Sequence, residues 1–190
     1  MQRVYKEDIL FEQSDFSATG FPAGDYENCR FEHCEFSSVN LSGVHFVECT
    51  FNHCNISLAT LTNTVFRDIK FIDCKMIGLH FQDCNKTLFS VDFDNCNLQL
   101  SSFNKMKLKN LMFNKSNLQE VDFTESDLTG AIFDLCDLSR TTFDHTILEK
   151  ADFRTAYNYS IDPGINRIKK ARFSTSGIAG LLDSYDIEID

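Results

Sequence analysis

The chain's 190 residues suffice for one sizeable domain, and 28 acids against 18 Lys and Arg leave a formal charge of −10. That balance excludes a direct grip on nucleic acid, whose phosphates call for clustered Lys and Arg. Lys6, Glu7, Asp8, Glu12 and Asp15 interrupt any N-terminal leader, and no run nears the roughly 20 apolar residues of a membrane span, so a cytoplasmic location without membrane contact is expected.

In chain order, residues 1–10 read as an N-terminal cap, and from Phe11 a period of five takes over. The residues Phe11, Phe16, Phe21, Tyr26, Phe31, Phe36, Leu41, Phe46, Phe51, Ile56, Leu61, Phe66, Phe71, Met76 and Phe81 form one unbroken series of large apolar side chains. A phase break over 82–88, with Lys86–Thr87 as a two-residue insertion, separates it from a second series. That series runs Leu88, Phe93, Leu98, Phe103, Leu108, Phe113, Leu118, Phe123, Leu128, Phe133, Leu138, Phe143, Leu148 and Phe153. Neither a helix nor a strand produces this spacing, and self-similarity at a fixed period marks a solenoid. Two positions before each of these centres the residues are mostly small and uncharged, so each unit offers one large and one small inward side chain.

Every fourth centre, allowing for the insertion, is Phe: Phe11, Phe31, Phe51, Phe71, Phe93, Phe113, Phe133 and Phe153. Cys34, Cys54 and Cys74 likewise recur at 20 residues, which sets four units to the coil. About seven coils at a strand spacing of ~4.8 Å make a rod on the order of 35 Å long. The eight cysteines fall in the small inward phase, where they pack as small hydrophobes rather than pair as disulfides or hold zinc. His33, His45, His53, His80 and His145 take outward phases, and no catalytic motif or cofactor signature occurs, so neither an enzyme nor a cofactor is expected.

Units such as "ADFRT" (151–155), "VDFTE" (121–125) and "CDLSR" (136–140) resemble the pentapeptide-repeat family. The resemblance implies an all-β fold, a right-handed quadrilateral parallel β-helix over 11–155, with residues 156–190 as a C-terminal extension. In that extension Ser174-Thr175-Ser176 offers N-cap hydroxyls for a short amphipathic helix bearing Ile178, Leu181, Leu182 and Tyr185. "YDIEID" (185–190), with Ile187, reads as a closing strand. The tail "IDPGINRIKKARFS…GIAGLLDSYDIEI" resembles that of the topoisomerase-protecting subfamily, which includes the Qnr proteins and the microcin B17 immunity protein. What this resemblance implies is a homodimer through Ile178, Leu181, Leu182, Tyr185 and Ile187. It also implies an acidic surface that takes the place of DNA on gyrase or topoisomerase IV, protecting the enzyme from quinolones or toxins. The long loops of many Qnr proteins are absent, and a rigid scaffold with an unrelated protein partner is the alternative reading.

Nine acids face two bases over 117–153, making Asp122, Asp127, Asp134, Asp137, Asp144 and Asp152 the candidate partner-binding residues, with Lys86, Thr87 and Phe89 at the phase break as further contacts. Asp122, Asp127, Asp137 and Asp152 each precede a centre, where Asp also suits the turn. Lys105, Lys107, Lys109 and Lys115 form a basic belt that whole-length mimicry does not call for.

Overall fold

The five-residue period becomes the side of a square. In the computed structural model, which describes residues 3–87, 89–185 and 187–188, each centre points inward and its neighbours on either side point out. Two residues after the centre the backbone turns through the left-handed region, as at His33 (φ 53°), Lys115 (φ 48°) and Arg140 (φ 58°). Many of these corner N–H groups donate to a carbonyl one turn on, as that of His33 does to Asn52 at 3.0 Å and that of Lys115 to Asp134 at 2.7 Å. Asn, Asp and His tolerate this conformation, whereas Leu58, Leu100 and Leu135 hold it against their usual preference.

The strands are β1 (Val4–Glu7), β2 (Leu10–Glu12), β3 (Gly24–Glu27), β4 (Arg30–Glu32), β5 (His45–Val47) and β6 (Thr50–Asn52). They continue as β7 (Val65–Arg67), β8 (Ile69–Ile72), β9 (Val91–Asp94), β10 (Met112–Asn114) and β11 (Ile132–Asp134). All pairing is parallel: β1, β3, β5 and β7 form a four-stranded wall, and β2, β4, β6, β8, β9, β10 and β11 a seven-stranded one. Isolated parallel bridges build the other two walls, one through Glu35, Asn55, Lys75, Asn97, Asn117 and Asp137, the other through His80, Ser102, Asp122 and Thr142. The regular strands bound about six turns of an all-parallel β-solenoid.

The all-Phe column lies inside the seven-stranded wall. Its rings stack face to face at 4.6–5.5 Å from Phe11 to Phe173, including the Phe71–Phe93 step across the insertion. The small inward columns place Thr64, Ser101, Thr141 and Thr146 in the interior, each hydroxyl donating to a backbone carbonyl of the preceding turn. All eight cysteines are buried and free.

The structure departs from the sequence reading at both ends. The segment read as an N-terminal cap already carries β1 and the first residue of β2. Phe16–Thr19 is a single helical turn where the period predicts a wall, because the Asp15 carboxylate accepts the Ser17 and Ala18 amides and Gly20 (φ 75°) ends the turn. At the other end the ladder does not stop at Thr155: Tyr157 bridges Asp137, Arg167 bridges Ile147 and Arg172 bridges Asp152. Tyr159 and Ile161, off the period, fill the interior there.

The expected amphipathic helix is a 3-10 helix, Thr175–Leu181, capped by the Ser174 hydroxyl and followed by a 3-10 turn at Asp183–Tyr185. Its tighter winding follows from Gly177 and Gly180, which stand three apart on one edge and let the helix lie directly on Tyr159. A β-carbon at Gly177 would collide with the Tyr159 hydroxyl, and one at Gly180 with the Tyr159 carbonyl. Ile187 and Glu188 form no strand, and Leu88 together with Asp186, Ile189 and Asp190 lies outside the described residues. No described helix is long and apolar enough to cross a membrane.

Phe71 and Phe113 are at most 1% exposed and stacked on both sides, so Phe71→Ala and Phe113→Ala should each cost about 3–5 kcal/mol. Lys75→Gln, on the outer surface, should stay within about 0.5 kcal/mol. Urea denaturation of the three variants checks this, and an unchanged Phe113→Ala midpoint would contradict the interior packing.

Candidate functional site

Neighbours in this sequence are not neighbours on the surface, since each successive unit turns onto another wall. Asp122 bridges Ser102 and Thr142, Asp127 bridges Lys107 and Ile147, Asp137 bridges Asn117 and Tyr157, and Asp152 bridges Ile132 and Arg172. Asp134 lies beside Asn114 on the seven-stranded wall, and Asp144 follows Phe143 on the wall of Asp122. The six candidate acids are therefore spread round the rod, and the structure does not gather them into one surface.

Most of them are also occupied. Asp122, Asp127, Asp137 and Asp152 each accept the amide two residues on, at 2.9–3.1 Å, which is the turn role that Asp suits. Asp127 further receives the Thr129 hydroxyl and Lys109, Asp134 receives Thr155, and Asp144 pairs with His145. Burial pulls the carboxyls of Asp127 and Asp137 upward, but the hydroxyl and amide donors of Thr129 and Ser139, with Lys109, Asn158 and Gln119, outweigh it and leave both below the ordinary Asp range. The Arg154 guanidinium holds Asp152 low, assisted by Arg172.

Two of the four lysines of the basic belt are matched by the same stacking. Lys105 meets Glu125 at 3.4 Å and Lys109 meets Asp127 at 3.3 Å, each one turn on. At the phase break Lys86 and Thr87 are exposed, while Phe89 is half-buried and packs edge-on against Phe81 at 6.1 Å.

An acidic line that the sequence reading missed runs along one edge of the seven-stranded wall. Strand register places Glu12, Glu32, Asn52, Ile72, Asp94, Asn114 and Asp134 in a single outward column. Reading the position after each wall centre every 20 residues, with the insertion discounted, would have found it. Six strand spacings of ~4.8 Å give about 29 Å, or about one acid per 7 Å, against one charge per ~3.4 Å on a DNA strand. The matching column of the adjoining wall is mixed, with Asp15 and Glu35 separated from Asp137 by Asn55, Lys75, Asn97 and Asn117. The outward column on the other edge is mixed and partly apolar: Leu10, Arg30, Thr50, Lys70, Asp92, Met112 and Ile132. Between the two columns lies a shallow groove of about 250 Å³ bordered by Lys70, Ile72, Asp92, Asp94, Met112 and Asn114.

At the C-terminal end Ile178, Tyr185 and Ile187 are exposed, and Leu181 and Leu182 are half-buried. With Pro163 and Ile168 these five residues line one apolar groove.

A carboxyl whose folded pKa is depressed contributes stability above its unfolded value near ~3.9, and loses it as pH falls through the lower folded value. Asp127, Asp137 and Asp152 should therefore make the rod less stable below about pH 4, and Asp152→Asn should flatten that dependence. Melting temperatures between pH 6 and pH 2.5 measure it; parallel curves would contradict the role of Arg154.

A family model described as a pentapeptide repeat region matches residues 24–87. Pentapeptide repeats match residues 88–124 and 116–154. Among solved structures, a trypsin-treated form of QnrB1, described as a plasmid-mediated fluoroquinolone resistance protein, is 15% identical with a TM-score of 0.62 and covers 98% of this chain and 100% of its own. A second trypsin-treated form is 16% identical with a TM-score of 0.61 and covers 100% of both chains. No curated protein sequence matches the chain. At these identities the likeness is one of fold.

Proposed function

The chain belongs to the pentapeptide-repeat family, and from that premise we propose that it is a non-catalytic, protein-binding rod whose partner is a type II topoisomerase. The observation that carries this reading is the in-register column of Glu12, Glu32, Asp94 and Asp134, four carboxylates spaced by Asn52, Ile72 and Asn114 on one wall. A basic groove built to hold a phosphate backbone could accept such a row in place of DNA, and the enzyme so occupied would be shielded from quinolones or toxins that act on its DNA complex. The QnrB1 likeness, described as fluoroquinolone resistance, supports the same direction.

The contact surface differs from the one that the C-terminal acids imply, since those residues face several ways. A second reading, a scaffold for an unrelated partner, draws on Met112, Ile132 and Leu135. These are 39–49% exposed, and Met112 and Ile132 are in register on the seven-stranded wall. Such side chains favour a partner with an apolar contact over a pure charge mimic.

Glu32→Gln, Asp94→Asn and Asp134→Asn combined should weaken gyrase binding about tenfold or more at low salt and flatten its salt dependence. Lys105→Gln, Lys107→Gln and Lys109→Gln combined should leave it intact. Gyrase pull-down titrations with supercoiling assays read both. A rod that neither binds gyrase nor alters supercoiling, mutated or not, hands the function to the scaffold reading.

The apolar C-terminal groove is the surface on which this proposal places a second copy of the chain, end to end. Ile178→Asp with Tyr185→Asp should convert a dimer to a monomer in light scattering. A mass of about one chain, 21.8 kDa, for the unmutated protein would remove the dimer from the proposal.

A further inference from the structure

The small inward column that follows the Phe column holds Cys34, Cys54, Cys74 and Cys96 in four consecutive turns, then Ser116 and Cys136. Register is fixed by parallel bridges at the next residue in each case: Glu35 with Asn55, Asn55 with Lys75, and Lys75 with Asn97. All four cysteines are 2% exposed or less. Each thiol donates to the carbonyl of a Phe one turn earlier, Phe11, Phe31, Phe51 and Phe71, at 3.3–3.4 Å. The four sulfurs thus share one orientation and stand one strand spacing apart. Cys29 and Cys49 form a second, shorter column, in register through Arg30 and Thr50.

The strand spacing is ~4.8 Å. A metal–sulfur bond is ~2.3 Å, so two such bonds laid end to end span about 4.6 Å. An ion between two stacked sulfurs would therefore fit without moving the backbone. The sulfurs point inward across the rod, so a bond along the rod axis leaves each at roughly a right angle to its Cβ–Sγ bond, the direction that a thiolate offers a metal. Among the described residues no three His, Cys, Asp or Glu side chains gather to hold an ion, so tetrahedral zinc chemistry has no place here. Charge selects further. A divalent ion that displaces both thiol protons leaves a neutral pair, whereas a monovalent ion on two thiolates leaves an uncompensated charge in an apolar interior.

We propose that the Cys34–Cys54–Cys74–Cys96 ladder is a binding site for a soft divalent cation of the mercuric type, held in a line between two thiolates of adjacent turns. Each ion forms two metal–sulfur bonds, breaks two S–H bonds and releases two protons, with no change of oxidation state. The ladder holds two ions, and Cys29–Cys49 holds a third. Entry takes place when a turn of the wall opens transiently, so loading is slow and follows local unfolding.

The experiment loads the folded full-length protein with mercuric chloride and reads native mass spectrometry, residual thiols and melting temperature together. The expected result is that three ions each consume two thiols, retain no chloride and raise the melting temperature, with Cys84 and Cys136 outside these pairs. Cys136, with Ser116 and Ala156 as its column neighbours, is the internal reference, consuming one thiol per ion and keeping a chloride. In a Cys54→Ser/Cys96→Ser variant no two ladder cysteines are adjacent, and serine already occupies this column at Ser116, so the rod should fold. That variant should lose both two-thiol ions of the ladder and keep the one at Cys29–Cys49. The proposal is overturned if ions on the unmutated protein consume one thiol each, if uptake needs a denaturant concentration that unfolds the rod, or if the variant loads as the unmutated protein does.

Discussion

A single distance, the spacing between stacked parallel strands, sets the terms for every side chain in this molecule. Each residue meets its counterpart one turn away at that spacing, so a column must hold residues that tolerate their own likeness above and below. Phe meets this demand by stacking ring on ring, and nine of them line one wall from Phe11 to Phe173. The small columns meet it differently. Thr64, Ser101, Thr141 and Thr146, like the cysteines, send their polar hydrogen to a carbonyl of the turn before. The interior thus pairs these hydroxyls and seven of the eight thiols, while the buried Tyr159 hydroxyl is left without a partner among the described residues.

The same spacing disciplines the surface. Like charges one turn apart repel at close quarters; several columns alternate sign or insert amides, while Glu7 on Glu27, Glu12 on Glu32 and Asp15 on Glu35 stay as like-charge neighbours near the N-terminal end. Lys105 and Lys109 meet acids of the next turn, and Arg140 and Arg167 meet acids of the turn before. Asn114 donates to Asp94 at 2.6 Å, and Asn55 to Glu35 at 3.0 Å. A strongly acidic composition therefore yields no uniformly acidic rod. It yields a thin line in which Asn52, Ile72 and Asn114 separate some of the carboxylates, beside walls where part of the charge is paired.

What the sequence made legible was whatever the period of five carries: the solenoid, the all-Phe wall, the inward cysteines and the harmlessness of the two-residue insertion. Where local chemistry overrides the period, the reading failed. Asp15 with Gly20 makes a capped helical turn out of a unit whose centre, Phe16, is in perfect phase. Tyr159 falls six residues after Phe153, so the last part of the ladder was read as loop, although Phe173 stacks on Phe153 at 5.3 Å. The closing helix was legible in Ser174, but its 3-10 winding depends on Tyr159 beneath Gly177 and Gly180, a contact that no local pattern records. The acidic residues were grouped by nearness in the chain, which in a square solenoid assigns neighbours to different walls. Only the column, read 20 residues at a time, groups them as the surface does.

The insertion at Lys86–Thr87 has a bearing on how such a rod can acquire new parts. Extra residues there leave the chain at a corner and return to it, and Phe71 and Phe93 remain stacked at 5.5 Å as though nothing had been added. The solenoid thus separates length from register: a wall cannot absorb one surplus residue without turning its side chains inside out, but the two-residue insertion interrupts the four-stranded wall after β7 and leaves the seven-stranded wall in register. That corner is a natural port for grafting. A longer segment whose ends match the same gap, whether a recognition loop or a reporter domain, should project from the side of the rod while the turns on either side keep their alignment.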